Sequence, residues 1–217
     1  MGQYYKAIYR PREIRTGWTI VATGEPEILH PEEWTGFNTW HITTGSKLME
    51  HSYIGNLFVS VLKRAIFNNP SQVIWAGDYA DKEPDSEKNM YDLVETNSLI
   101  GVDFDWDDRS DIQKLIYEKI QPDIEKMLYL VNETKGLYVD YEKVKPTTKW
   151  GHRIDPLPLL TAEGNGRGGG DYEGRNMKLV GSWARDVIYV TDKLPEGLVE
   201  LIPAFEEGDF EDEEENA

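Results

Sequence analysis

The sequence predicts an α+β protein: an antiparallel-rich mixed sheet, two or three packed helices and a disordered acidic C-terminal tail. Three observations lead there. Short β-branched and aromatic runs recur between turn residues, with Gln72–Gly77 reading as a buried strand. One long stretch, from Ser46 to Ile66, repeats its apolar residues at helical spacing. Glu206 to Glu215 holds eight acidic residues and no basic one, which no packed core accommodates. The expected division is one domain over 1–205 and a tail over 206–217.

Taken in order, Gln3–Tyr9 reads as a first strand stopped by Pro11, and Gly17–Ala22 as a second. From Gly24 to Gly45 the chain is rich in turn residues and aromatics, including Trp34, Phe37 and Trp40, with no clear period. In the helix that follows, Tyr53, Ile54, Leu57, Phe58, Val61, Leu62, Ala65 and Ile66 form the stripe expected to pack on the sheet. Lys63 and Arg64 suit its C-terminal dipole, and Asn68-Asn69-Pro70 ends it. A buried strand at 72–77 breaks at Gly77, and a short helix is expected from Ser86 to Val94. Val102–Asp107 alternates strictly, as a half-buried strand does. Ser110 caps a helix that carries Ile112, Leu115, Ile116 and Ile120 and ends at Pro122. Met127–Val131 and Leu137–Tyr141 flank a Gly-containing turn, a hairpin signal. Two further strands, Leu157–Thr161 and Leu179–Val190, are expected to enter and leave a glycine-rich hairpin loop.

Composition narrows the functions. The 217 residues carry a formal charge of −17, of which the tail removes all but about −9 from the rest. A broad basic surface for nucleic acid is therefore not expected. No apolar run approaches the roughly 20 residues of a membrane span, and the N-terminal residues do not read as a signal peptide. The absence of cysteine excludes disulfides and thiolate chemistry and fits a reducing compartment. The expectation is a soluble intracellular protein or a virion component.

The loop from Glu163 to Arg175 holds six glycines in thirteen residues. Glycine loses the most backbone freedom on folding, so such a segment implies positive φ or the close approach of something to the backbone. One reading is an anion-binding loop, in which backbone N–H groups surround the anion and Arg167, Arg175 or Arg185 adds charge, with Gly166, Gly168, Gly169 and Asp171 among the binding residues. The Walker and dinucleotide patterns are both missing. The plainer reading is a tightly turned loop without a ligand. His51 beside a helix start, Asp78 beyond a strand end, and His152 form a second constellation, suited to acid–base work or to one metal ion if they converge. No metal site is assigned and no cofactor is identified. Asp103-x-Asp105-x-Asp107 resembles a calcium loop only superficially, because Asp108 stands where glycine and Lys114 where glutamate are needed.

Three blocks occur together: Met1-Gly2-Gln3-Tyr4-Tyr5-Lys6; Lys47–Asn56 with Trp75–Asp81; and Thr161–Tyr172 with Val180–Asp186. Their order resembles an uncharacterised family of hypothetical proteins from bacteriophages and bacterial mobile elements. The likeness spans residues 1 to about 190 and implies a phage gene expressed in the host bacterial cytoplasm. No catalytic residues come with it. The first functional expectation is a phage-encoded binding protein with a counter-defence role. It would hold a phosphate-bearing small molecule in the glycine-loop pocket, or a host bacterial protein on its surface. One alternative is an enzyme acting on a nucleotide or related phosphate compound. Another is an acidic, polyanion-mimicking inhibitor that uses the tail.

Overall fold

The computed structural model describes residues 2–12, 40–43, 46–52, 57–84, 86–93, 126–144, 153–168 and 170–208. They form an α+β fold around one mixed sheet. Its path runs β2 (Trp40–Thr43), β1 (Tyr5–Pro11), β3 (Ser71–Gly77), β8 (Val187–Thr191), β4 (Tyr129–Asn132), β5 (Leu137–Asp140) and β9 (Val199–Glu200). All neighbours on this path are antiparallel except β5 and β9. The two-residue β6 (Ala162–Glu163) also joins β3 in parallel. A separate ribbon pairs β7 (Gly174–Arg175) with β10 (Glu206–Glu207). Four α-helices occur among the described residues: α1 (Leu48–Ser52), α2 (Leu57–Ala65), α3 (Met90–Leu93) and α4 (Pro156–Thr161).

Period-two alternation divides the core between the two faces of β1 and β3. Tyr5, Ala7, Tyr9, Val73 and Trp75 face the larger cluster, with Val59, Val61, Leu62, Ala65 and Ile66 from and just beyond α2. Ile8, Ile74 and Ala76 pack on the other face with Met90. Of the stripe expected to lie on the sheet, Val61, Leu62, Ala65 and Ile66 do so. Of the helix expected across 46–66, Leu48–Ser52 and Leu57–Ala65 are helical, and 53–56 lie outside the described residues.

The hairpin at 129–140 and the short helix after Ser86 lie where the pattern put them. The strand expected at 157–161 does not: that segment is α4. Asp155 caps it, its side chain accepting from the Leu157 N–H at 3.0 Å, with Pro156 in the first turn. The first four N–H groups of a helix have no acceptor within it, so Pro156 and Pro158 cost no hydrogen bond there. All six residues of α4 are buried, which is why the run looked like an inner strand.

The strand expected at 179–190 is also shortened, to 187–191. Gly181 (φ 73°) and Arg185 (φ 66°) take left-handed conformations that an extended strand excludes. The intervening turns tuck against α4 and β3, with Gly181 N–H donating to Leu159 O (2.8 Å), Trp183 N–H to Leu160 O (2.7 Å) and Arg185 N–H to Val73 O (2.8 Å). The stretch that showed no period contains β2, which pairs with β1 and ends the sheet path among the described residues. Pairing of β10 with β7 also puts Glu206 and Glu207 inside the fold rather than in the tail. The expected elements at 17–22, 102–107 and 110–120 lie outside the described residues, as do residues 209–217.

Candidate functional site

The glycine loop passes beneath the N-terminal strand rather than around an open space. A Cβ on Gly168 would lie 2.6 Å from the Gln3 backbone nitrogen, and one on Gly164 would lie 2.5 Å from the Tyr5 hydroxyl. Real Cβ atoms do not approach backbone so closely, so Gly168 must be glycine, whereas at Gly164 a Cβ would have to displace the Tyr5 hydroxyl and the Gln3 amide. Something does come near this backbone, as the composition implied, and it is the chain's own N-terminal segment.

Gln3, 0 % exposed, occupies the centre of the arrangement. The hydrogen-bond network sets its amide so that Oε1 accepts from the Tyr79 N–H (3.1 Å). Nε2 then turns its two hydrogens toward Asp171 Oδ2 (3.1 Å), Asn165 Oδ1 (3.2 Å) and Tyr5 Oη (3.1 Å), three acceptors within reach. Tyr5 donates its hydroxyl to Asp171 Oδ1 at 2.8 Å, and the Gly168 N–H donates to Asp171 Oδ2 at 2.8 Å. Burial first, and then the Asp171 charge beside it, push the Tyr5 hydroxyl well above its ordinary pKa. Asp171 thus receives its donors from within the molecule. On its other side the loop meets α1, where the Met49 N–H donates to Gly170 O at 3.0 Å.

The three arginines have different fates. Arg185 is held between two carboxylates. Its Nε and Nη2 donate to Glu163 (2.8 and 2.6 Å) and its Nη1 to Glu83 Oε2 (2.9 Å), while Nη2 also pairs with Glu83 Oε1. These bonds, to Glu163 first and Glu83 second, raise its pKa further. Arg175 pairs with Glu206 at 3.1 Å. Arg167 is exposed; its backbone N–H closes a turn onto Asn165 Oδ1 at 2.8 Å. Gly166 is exposed beside it, and Gly169 lies outside the described residues.

His51 belongs to the core. It is 0 % exposed, edge-on to Trp75 with ring centroids 5.4 Å apart, and its Nδ1 accepts the Trp75 indole N–H. Burial lowers its pKa to about 3, so the ring is neutral at physiological pH. A solvent-borne substrate reaches it only by unpacking the core. Asp78 lies beyond β3, its Oδ1 accepting from the Tyr4 N–H at 3.1 Å, and His152 lies outside the described residues. Among the described residues, no three His, Asp or Glu side chains are arranged to hold a metal ion, and no helix is long and apolar enough to cross a membrane.

Two features had no sequence signal strong enough to single them out. The first is a buried ion pair between Lys63 of α2 and Asp155, the cap of α4. The Tyr141 hydroxyl donates to Asp155 Oδ1 at 3.3 Å, and Lys63 Nζ lies 3.7 Å from the Tyr141 ring centre. Burial lowers the Lys63 pKa, against which the Asp155 charge acts. The second is a groove of about 180 Å³ between β5, β9 and the segment 201–206. Gln3 itself was legible only as part of a strand. Its role needs the loop folded onto it, a contact between residues more than 160 positions apart.

No protein-family model, curated protein or solved structure matches this chain.

Proposed function

We propose that the chain is a non-enzymatic binding protein, encoded by a phage and acting in the host bacterial cytoplasm, that engages a basic host protein as a counter-defence factor. The observation that carries the choice of partner is the closure of Arg185 between Glu83 and Glu163. An anion-binding loop needs uncompensated positive charge. Here the most enclosed arginine already has two carboxylates, and the loop backbone is packed against Gln3. A phosphate group entering would displace an internal acid or meet repulsion from it. The acidic surface favours the protein partner instead, since a charge of −17 accelerates encounters with basic surfaces and makes them salt-dependent. The enzyme reading has less support, because its histidine at position 51 is neutral and enclosed.

Native mass spectrometry of the chain purified from a bacterial host at low and high salt tests this reading. The expected species is a stoichiometric complex with a basic protein that dissociates as salt rises. A retained nucleotide or other phosphate compound, with no protein partner at either salt, overturns it.

A further inference from the structure

We propose that the groove beside β9 is a docking site for a short extended segment of a basic protein, anchored by one apolar side chain and flanked by lysine or arginine. The proposal rests on the reading of the chain as a binder of basic proteins, and locates where that binding occurs.

Size comes first. An apolar cavity of about 150 Å³ takes up a benzene-sized molecule, whereas pockets for cofactors and drug-sized ligands span about 300–1,000 Å³. At about 180 Å³ the groove fits one leucine or phenylalanine side chain and is too small for a nucleotide. Its walls are mainly apolar, formed by Val139, Val144, Ile154, Leu201, Pro203 and Phe205. Beside and along it stand Val199 and Ile202, 65 % and 62 % exposed. Large apolar side chains left in water next to a concave apolar surface mark an interaction site more often than isolated ones do.

Backbone geometry supplies the second argument. β9 ends the sheet path among the described residues. The Val199 N–H donates to Gly136 O (3.0 Å) and the Leu201 N–H to Tyr138 O (2.7 Å). Alternation therefore turns the N–H and C=O of Glu200 away from β5, leaving a donor and an acceptor at the edge. An incoming extended segment pairs with such an edge while its alternate side chains reach the neighbouring pocket.

Charge selects the partner. Asp140, Glu200 and Glu206 line the groove against Lys143 alone, and Lys143 already lies 2.6 Å from Glu200 and 3.6 Å from Asp140. Among the residues that line the groove, three carboxylates stand against one cation. An acidic segment would be repelled and a basic one attracted.

Fluorescence anisotropy of the full chain with a labelled peptide, Leu-Phe-Leu flanked on each side by lysines, tests the proposal. Val199→Ser with Ile202→Ser should weaken binding about tenfold, and Glu200→Lys should do the same at low salt. Both variants should melt close to the parent, since the altered side chains lie at the surface. If the parent binds the apolar peptide no better than a version with serines in place of the three apolar residues, the groove is not the site. The groove proposal also fails if the variants bind as the parent does. In either case salt-sensitive binding of the lysine peptides leaves the broader reading standing. If no lysine-bearing peptide binds even at low salt, that reading falls too.

Discussion

The glycine loop and the segment from Leu194 to Phe205 both run irregularly along margins of the sheet, yet one is closed and the other open. In the loop, Gln3, Tyr5 and Asp171 are buried and bonded to one another, and the arginine at 185 is spent on internal acids. In the C-terminal segment, Leu194, Val199 and Ile202 are exposed, and a groove remains between residues 200–206 and β5. Glycine content therefore reports how near the next piece of backbone lies, and does not report whether that piece is foreign. Openness follows from exposed apolar area and a strand edge that no described strand pairs, which composition does not reveal.

The largest effect is expected where the closed side is anchored. Lys63→Met leaves the Asp155 carboxylate buried without its cation at the start of α4, the helix that feeds the loop. Removing one partner of a buried pair costs about 3–5 kcal/mol, read as a drop in unfolding free energy in urea. Asp155→Asn in the same chain should recover much of the loss, because the amide retains an oxygen to cap α4 and carries no charge. Failure of the second change to rescue the first would mean that the pair is not what holds α4 in place.

Within the loop, two glycines separate close approach from conformation. Gly168→Ala forces a Cβ into the Gln3 backbone, an overpacking cost of about 1–3 kcal/mol. Gly166, at φ 63°, has nothing within 4 Å of the corresponding position. Gly166→Ala therefore carries only the left-handed backbone penalty, about 1 kcal/mol. Equal effects in thermal or urea unfolding would show that Gln3 does not fill the loop as described.

Much of the fold was legible, and the misses share a cause. The hairpin at 129–140, the β3 strand and the amphipathic stripe of α2 announce themselves because local pattern and tertiary environment agree. α4 was missed because full burial erases the polar face that marks a helix, although Asp155-Pro156 was a start signal in plain view. The 179–186 turns were missed because Trp183 and Val180 suit a strand, while Arg185 adopts positive φ only under tertiary constraint. At the candidate site, local composition correctly implied that something approaches the glycines. The identity of the approaching group, Gln3, is a long-range fact that no local window contains. The edge at β9 was missed for a similar reason: whether a two-residue strand is covered depends on the other strands.

Titration distinguishes the two regions next. His51 sits in α1, against which the loop packs, and its folded pKa of about 3 lies below the ordinary 6.5. Both states are neutral above that ordinary value, so the stability it permits is complete there. As pH falls below 6.5 the unfolded chain takes up a proton that the folded chain refuses, and stability declines until the pH passes the folded pKa. The slope approaches 1.36 kcal/mol per pH unit, or about 2 kcal/mol between pH 6.5 and pH 5. Comparison of the native chain with His51→Gln in urea at pH 7, 6 and 5 isolates this, since the other histidines cancel. Parallel curves would mean that His51 takes up its proton in the folded state and the core is not closed around it.

The smallest pair of effects bears most directly on why one margin is closed. Tyr5→Phe removes the hydroxyl that donates to Asp171 and accepts from Gln3, without opening a large cavity. A net loss of about 1–2 kcal/mol is expected, toward the upper end because Asp171 is buried and its Oδ1 loses the Tyr5 donor. Ile202→Ser removes a larger apolar group from the open margin, yet should change stability by less than about 0.5 kcal/mol, because an exposed side chain loses little on unfolding. The contrast runs against atom count: one oxygen inside the network outweighs several carbons at the surface. If Ile202→Ser proved the costlier of the two, the groove wall would belong to the core, and the exposed apolar surface on which docking depends would not exist.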